Sequence, residues 1–371
     1  MAACSSRCRQ LLFTTGLVSA LLVGCGAPTR TAAPTGAAPA AAPSGGGSSA
    51  APAAPAANPA AAGAPAPTAP LKSRSGYTTI SAAAAPWWVA LEAGYFREQG
   101  LDVDLVHLDA GAPLLAALTN GELDVTFSGA PTLVVGTLQG LDTVIIGSTT
   151  NVLDSVVFTR PEIKTPQDLR GKTIGVTNLK AITDVAARLG FKRVGLEPDV
   201  DVFTRKTGGL AESLAGMETG ALDGASLSVP AVFEARKRGY TELIDVSKLG
   251  IPFLSSAVGT TRRTIAEKPE LGEPYLRALA QATSRLKSDR EFSMQVLGKY
   301  TNTDDQELLG QTIDYYAPNY TVDPYPEPAA IQTVLDVEEN PAARTAKPED
   351  VLDPRFAAAV RASGFLERLP K

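Results

Sequence analysis

The 371 residues carry 34 basic and 39 acidic side chains, a net charge of −5, with 44% apolar residues and a single histidine. Mild acidity without a basic stripe excludes an electrostatic footprint for nucleic acid. With Cys4, Cys8, Cys25 and His107 as the whole stock of soft ligands, the residue pattern calls for no metal and no cofactor.

Arg7 and Arg9 make a short basic start, and residues 11–23 are apolar. That run falls short of the about 20 apolar residues a stable membrane-spanning helix needs, so it reads as a cleaved export signal. It ends in Leu22-Val23-Gly24-Cys25, which resembles the bacterial lipobox, where the cysteine sulfur is acylated and the chain is cut just before it. Residues 1–24 are then a lipoprotein signal peptide, and Cys25 is the lipidation site that holds the mature chain on the membrane. Cleavage leaves 32 basic against 39 acidic side chains and one cysteine, so no disulfide can close within the mature chain. Residues 25–75 follow as an Ala/Pro/Gly-rich tether. Between 26 and 71 Arg30 is the only charge, and too little apolar surface is present to offset the entropy of ordering. As a random coil such a tether reaches about 40 Å, and as a polyproline helix about 140 Å.

The remainder, nearly 300 residues, is long enough for two units. Residues 77–81 are strand-like, 86–96 helical with Pro86 in the first turn, 101–108 a strand, and 113–119 a helix. Strand 123–128, helix 131–138 and strand 144–148 continue the alternation. After Asp168-Leu169-Arg170-Gly171-Lys172 the rhythm restarts with strands at 173–177, 200–203, 222–226 and 242–246. Helices at 181–189, 210–217 and 230–236 lie between them. This alternation predicts an α/β protein with mostly parallel sheets covered by helices. Apolar residues at helical spacing in 275–286, 292–300 and 307–316 predict closing helices packed on the first unit.

One phrase occurs twice. Gly121, Leu123, Asp124 and Pro131 are matched, 99 positions on, by Gly220, Leu222, Asp223 and Pro230. In both places a helix ends at the glycine, a strand begins at the leucine, and the strand runs into a small-residue loop. Gly-x-Leu-Asp is also an ordinary helix-to-strand connection. Combined with the restarted rhythm, the repetition points to two lobes, each giving one jaw of a shared cleft, because ligands of open α/β sheets sit beyond the carboxyl ends of the strands.

Three phrases then carry a resemblance. Ala93-Gly94-Tyr95-Phe96-Arg97-Glu98-Gln99-Gly100-Leu101-Asp102-Val103 is similar to a phrase of the solute-binding proteins of nitrate/sulfonate/taurine ABC transporters. So are Gly121-Glu122-Leu123-Asp124 and Asp168-Leu169-Arg170-Gly171-Lys172-Thr173-Ile174-Gly175-Val176. The resemblance, which extends to thiamine-pyrimidine-precursor binders, covers residues 77–259 well and the helical remainder loosely. It implies a type II periplasmic-binding-protein fold, two Rossmann-like lobes joined by a two-segment hinge. Lobe one would hold residues 76–168 and 256–371, and lobe two 169–255, with crossings near 157–168 and 255–261.

The loops at the strand ends give the candidate ligand-binding residues. They are Ala84, Trp87, Trp88, Gly111, Ser128, Gly129 and Asn151 from lobe one, and Thr177, Asn178, Ser226 and Ser228 from lobe two. Small and hydroxyl-bearing side chains let backbone N–H groups approach a solute, and helix starts favour a negative or dipolar group. Trp87 or Trp88 could supply a flat wall, though not both, since neighbours on a helix point apart; ordinary helix–sheet packing accounts for them equally. Lys180 could pair with an anionic solute, though a single loop lysine reads more readily as a solvated charge, and Asp154 is as ambiguous, a cleft charge or only a turn cap. His107, without a partner of its type, reads as a hydrogen-bonded strand histidine buried in the sheet.

No nucleophile–base constellation is present, so the expectation is a non-enzymatic, monomeric lipoprotein outside the cytoplasmic membrane. It would capture a small organic or oxyanionic solute by lobe closure and pass it to an ABC permease and its ATPase. A sensor presenting its closed form to a signalling receptor needs identical binding chemistry. An enzyme resembling thiamine-pyrimidine synthase or menaquinone-pathway lyases would need a committed catalytic group, for which Lys180 is the one candidate.

Overall fold

The structure, a computed structural model, describes residues 69–370; the expected signal peptide, Cys25 and most of the tether lie outside the described residues. Ten strands run β1 Leu71–Tyr77, β2 Leu101–His107, β3 Val125–Ser128, β4 Val144–Thr150 and β5 Val156–Thr159, then β6 Lys172–Val176, β7 Val202–Lys206, β8 Gly224–Leu227, β9 Thr241–Asp245 and β10 Ser256–Thr260. They form two five-stranded sheets, ordered β2-β1-β3-β10-β4 and β7-β6-β8-β5-β9. Within each sheet the first three strands pair in parallel, and one inserted strand, β10 or β5, runs antiparallel to both its neighbours.

That arrangement relocates the hinge. The sequence put the crossings near residues 157–168 and 255–261, yet β5 is already a strand of the second sheet and β10 a strand of the first. The chain actually crosses at 151–155 and returns at 246–255. Val156-Val157-Phe158 is fully buried because an inserted strand is covered on both faces, and that apolar run gave no sign of which sheet it served. The two crossings run beside each other and are hydrogen-bonded: Phe253 N–H donates to the Asn151 carbonyl at 3.2 Å and Ser255 N–H to that of Thr150 at 3.1 Å.

The first strand also differs from expectation. It begins at Leu71, inside the stretch assigned to the tether, and ends at Tyr77, where the sequence had it begin. Lys72 and Arg74 disguise it, but β1 is an interior strand, paired with β2 from Leu71↔Leu101 to Tyr77↔His107 and with β3. Ser73 and Ser75 are therefore buried, and Ser75 Oγ accepts from the Tyr275 hydroxyl at 3.0 Å. The single helix expected over 86–96 is two, Ala85–Glu92 and Tyr95–Glu98, broken at Gly94, whose φ of 78° suits glycine.

The doubled phrase does the same work in both lobes. Gly121 and Gly220 take left-handed φ values of 81° and 75° where a helix stops, and the following Leu123 and Leu222 enter the core. Asp124 then donates its N–H to the Arg74 carbonyl at 2.8 Å while its carboxylate accepts the Arg74 N–H at 3.1 Å. Asp223 repeats this with Thr173, at 3.0 and 2.9 Å. Each carboxylate also meets a cation: Arg160, directly after β5, at 3.1 Å for Asp223, and Lys268, at the end of the short helix Arg262–Glu267 that follows β10, at 2.7 Å for Asp124. The aspartates thus clamp the amino ends of the parallel strands, opposite the ligand edge.

The closing helices Gly272–Ser288 and Arg290–Thr301 pack on the first lobe, as their periodicity predicts. Helix Gln306–Tyr316 does more. Leu309, Ile313 and Tyr316 join the first lobe's core, whereas Leu308 and Tyr315 lie on the second lobe's, with Tyr315 edge-on to Phe233 at 6.2 Å.

Replacing Asp124 or Asp223 by Ala leaves a backbone N–H and a cation without their acceptor, and each change is expected to cost about 2 kcal/mol in urea unfolding. The Asn variants, which keep an acceptor, should lose less. Unchanged midpoints in both Ala variants would contradict the clamp.

Candidate functional site

A cleft of about 860 Å³ opens where the carboxyl ends of the two sheets face each other. That is within the usual range for small-molecule sites, about 300–1,000 Å³. Lobe one contributes Thr78 and Thr79 after β1, Phe127, Ser128 and Gly129 at the end of β3, and Thr150 at the end of β4. Lobe two contributes Leu179 to Ile182 after β6 and one face of helix Ile182–Arg193. The crossings contribute Asp154, Phe253, Ser255 and Ser256, and the closing helices Tyr316, Val334 and Val337.

Of the residues singled out from sequence, Ser128 and Gly129 line this cleft. Trp87 and Trp88 do not; they are 1% and 0% exposed. Trp87 Nε1–H donates to the Tyr275 hydroxyl at 3.1 Å, and its ring stacks on Phe127 with centroids 4.1 Å apart. Trp88 stacks on Tyr300 at 4.8 Å. The flat wall is Phe127, with Trp87 behind it. Helix Ala85–Glu92 turns both indoles toward the closing helices, whose position a local pattern does not encode.

The others build the walls or lie off them. Ala84 is fully buried, one residue from the lining Ala83. Gly111 sits behind Thr132, where a Cβ would come within 2.9 Å of the threonine methyl. Asn151 belongs to the hinge, its Oδ1 accepting from Ser148 Oγ at 2.7 Å. Thr177 is engaged with Thr183, Oγ1 to Oγ1 at 2.9 Å, and Asn178 is exposed at the turn before helix Ile182–Arg193. Ser226 is buried against Ser155, 2.8 Å between hydroxyls, and Ser228 is half-buried ahead of helix Ala231–Lys237. Helix Gln306–Tyr316 packs over this part of lobe two, which separates the β8 loop from the cavity. His107 stands at the end of β2 against the Tyr77 ring, 5.2 Å away, and is exposed rather than buried because β2 is an edge strand. Among the described residues no group of three or more His, Cys, Asp or Glu is placed to hold a metal ion.

The electrostatics of the cleft are uneven. Lys180 reaches across the mouth to Glu339, just past helix Pro328–Val337, and both side chains are about two-thirds exposed. Arg188 is held by Asp184 at 2.9 Å and Asp199 at 2.6 Å, so its charge is committed within lobe two. Asp154 differs. It sits on the first crossing among Tyr315, Tyr316 and Tyr320, its Oδ2 accepts from the Tyr316 hydroxyl at 2.7 Å, and no cation pairs with it. Burial raises its carboxyl above the usual range, only partly opposed by the Tyr316 hydrogen bond. The same burial raises the Tyr316 hydroxyl, with the Asp154 charge adding to it. Tyr316 carried no signal in the sequence beyond its helical spacing, and Asp154 read as a turn cap because its distant tyrosine partners were invisible.

Residues 81–291 match the family model described as NMT1/THI5 like. The chain belongs to that family. Two curated relatives align with it. The taurine-binding periplasmic protein of Escherichia coli is 27% identical over 194 residues, 51% of this chain and 58% of the relative. The formylaminopyrimidine-binding protein of Halalkalibacterium halodurans is 27% identical over 142 residues, 38% of this chain and 39% of the relative. The chain thus spans roughly half the length of the curated relatives it matches. Among solved structures, the periplasmic aliphatic sulphonate binding protein SsuA of Escherichia coli superposes with a TM-score of 0.62 at 19% identity, over 76% of this chain and 99% of that one. The fold is therefore the type II periplasmic-binding-protein architecture that the three phrases implied, and the family's matched region includes both sheets' inserted strands.

The raised Asp154 carboxyl has a consequence for stability. A carboxyl raised in the folded state weakens folding as pH climbs from its unfolded value near 4 through the raised one. Asp154→Asn, which still accepts from Tyr316, should raise the melting temperature by about 2 °C at pH 7. The gain should vanish near pH 3.5 when the two proteins are compared by calorimetry.

Proposed function

We propose that this protein is the solute-capturing subunit of an ABC importer, working outside the cytoplasmic membrane as a lipid-anchored monomer held through Cys25. The lobes close on a small solute, and the closed form docks on the permease and its ATPase. The observation that carries this reading is the cleft itself: it lies between opposed strand tips, is lined by hydroxyls, apolar side chains and a set of charged groups that includes Asp154, Lys180, Arg188 and Lys192, and is spanned by two hydrogen-bonded crossings at which the lobes can rotate. Family membership and the two curated relatives, both named for binding a small solute, support it.

Binding, in this reading, leaves the solute chemically unchanged. Phe127, Phe253 and Val334 supply an apolar floor, while Thr78, Thr79, Ser128 and the Gly129 backbone supply neutral hydrogen-bonding groups. Lobe closure then needs only that the solute touch both lobes, since a ligand shifts the hinge by its differential affinity for the closed form. Sulfonates, nitrate, pyrimidines and flavin-like vitamins form the panel to screen by thermal shift. A binder should raise the melting temperature and shrink the radius of gyration in solution scattering. Turnover of a bound molecule, or binding without compaction, would refute capture by closure.

Lys180 and Glu339 lie on opposite lips of the cleft, so their ion pair favours closure, weakly because both are exposed. Glu339→Gln should weaken solute affinity by at most about fivefold at low salt, and the difference should disappear in 1 M salt as screening removes the pair.

A further inference from the structure

We infer that Asp154 sets the selectivity of the cleft by accepting a hydrogen bond from an ammonium or amino N–H group of the solute, so that the ligand class is amine-bearing rather than a bare oxyanion. This rests on the solute-capture reading above.

Three observations converge on it. Asp154 lines the cleft and lies on the first crossing, within residues 151–155, so a solute held there touches the segment about which the lobes turn. Its carboxylate has acceptor capacity to spare: among the described residues the Tyr316 hydroxyl on Oδ2 is its one side-chain donor, its own backbone N–H assists, and an ionised carboxylate has room for more. Of the cations lining the cleft, Lys180 is paired with Glu339 and Arg188 with Asp184 and Asp199, while Lys192 stands exposed in the last turn of helix Ile182–Arg193.

The surroundings sharpen the demand. Tyr315, Tyr316 and Tyr320 gather around the half-buried carboxylate, which stays open to the cleft. An unpaired charge in such a place is costly, and a ligand cation or N–H donor offsets that cost with a charge-assisted hydrogen bond. An oxyanion placed beside Asp154 meets a like charge, and among the described residues Asp154 has no ion pair of its own to offset it. A solute with a dipolar or anionic end can still be accommodated if that end lies toward Ser128 and Gly129, at the start of helix Ala130–Leu138, and its amine toward Asp154.

Matched probes test this on the full chain by titration calorimetry. Taurine is paired with ethanesulfonate, and 4-amino-2-methylpyrimidine with 2-methylpyrimidine, each pair differing in the amino group. In at least one pair the aminated member should bind about tenfold tighter or more, and Asp154→Asn, with its fold verified by its melting curve, should bring that ratio to about threefold or less. Equal or weaker binding of the aminated members, or a ratio that survives in Asp154→Asn, overturns the inference. If the solutes found in the wider panel lack any N–H or cationic group, the inference falls while solute capture stands. If nothing in the panel binds, both fall.

Discussion

The two sheets depend on strands they do not own. Between β3 and β4 of the first lobe there is a strand-wide gap that the chain fills with β10 only after it has built the whole second lobe. The corresponding gap between β8 and β9 is filled by β5, delivered straight from β4. Buried strands cannot leave their N–H and C=O groups unpaired, so the second sheet needs the first crossing and the first sheet is complete only after the return. The crossings are thereby forced side by side, and their mutual hydrogen bonds between Asn151 and Phe253 and between Thr150 and Ser255 make a short, defined hinge. The cleft's position follows from that hinge, since both sheets present their carboxyl ends to it.

The duplicated Gly-x-Leu-Asp phrase shows how the opposite ends are secured. A parallel sheet begins with a backbone N–H that has no neighbour beyond it, and a carboxylate from the adjacent strand supplies the acceptor. Lys268, beyond the short helix that follows β10, and Arg160, directly after β5, then neutralise that carboxylate. The same residue pair thus ties the inserted strand to the parallel ones in each lobe. The repeat lies at the end of the strands away from the cleft, and the other end carries the small-residue loops that line it.

Against these satisfied carboxylates, Asp154 stands apart. Asp124, Asp223 and Asp184 have cationic partners and serve the fold, whereas Asp154 is half-buried against a tyrosine and has no cationic partner among the described residues. A group that weakens folding yet occupies the centre of a cleft is a common mark of a binding residue, because stability is given up where a ligand will later supply the missing interaction.

Sequence by itself determined the alternation of strands and helices, the doubling into two lobes and the family phrases, because each depends on residues near in the chain: periodicity, turn glycines and helix stops. It also put Ser128 and Gly129 on the cleft, since a loop at a strand's carboxyl end is a local feature. Tertiary structure alone decided that Leu71 to Ser75 is sheet rather than tether, that β5 already belongs to the second lobe while β10 returns to the first, and that Trp87 stands behind Phe127 rather than in the cleft. It alone also brought Tyr316 to Asp154, 162 positions away. In each case the deciding contact is between residues far apart in the chain. The burial that makes a strand out of Ser73 and Ser75, or an unpaired acceptor out of Asp154, exists only once those distant elements have closed over it.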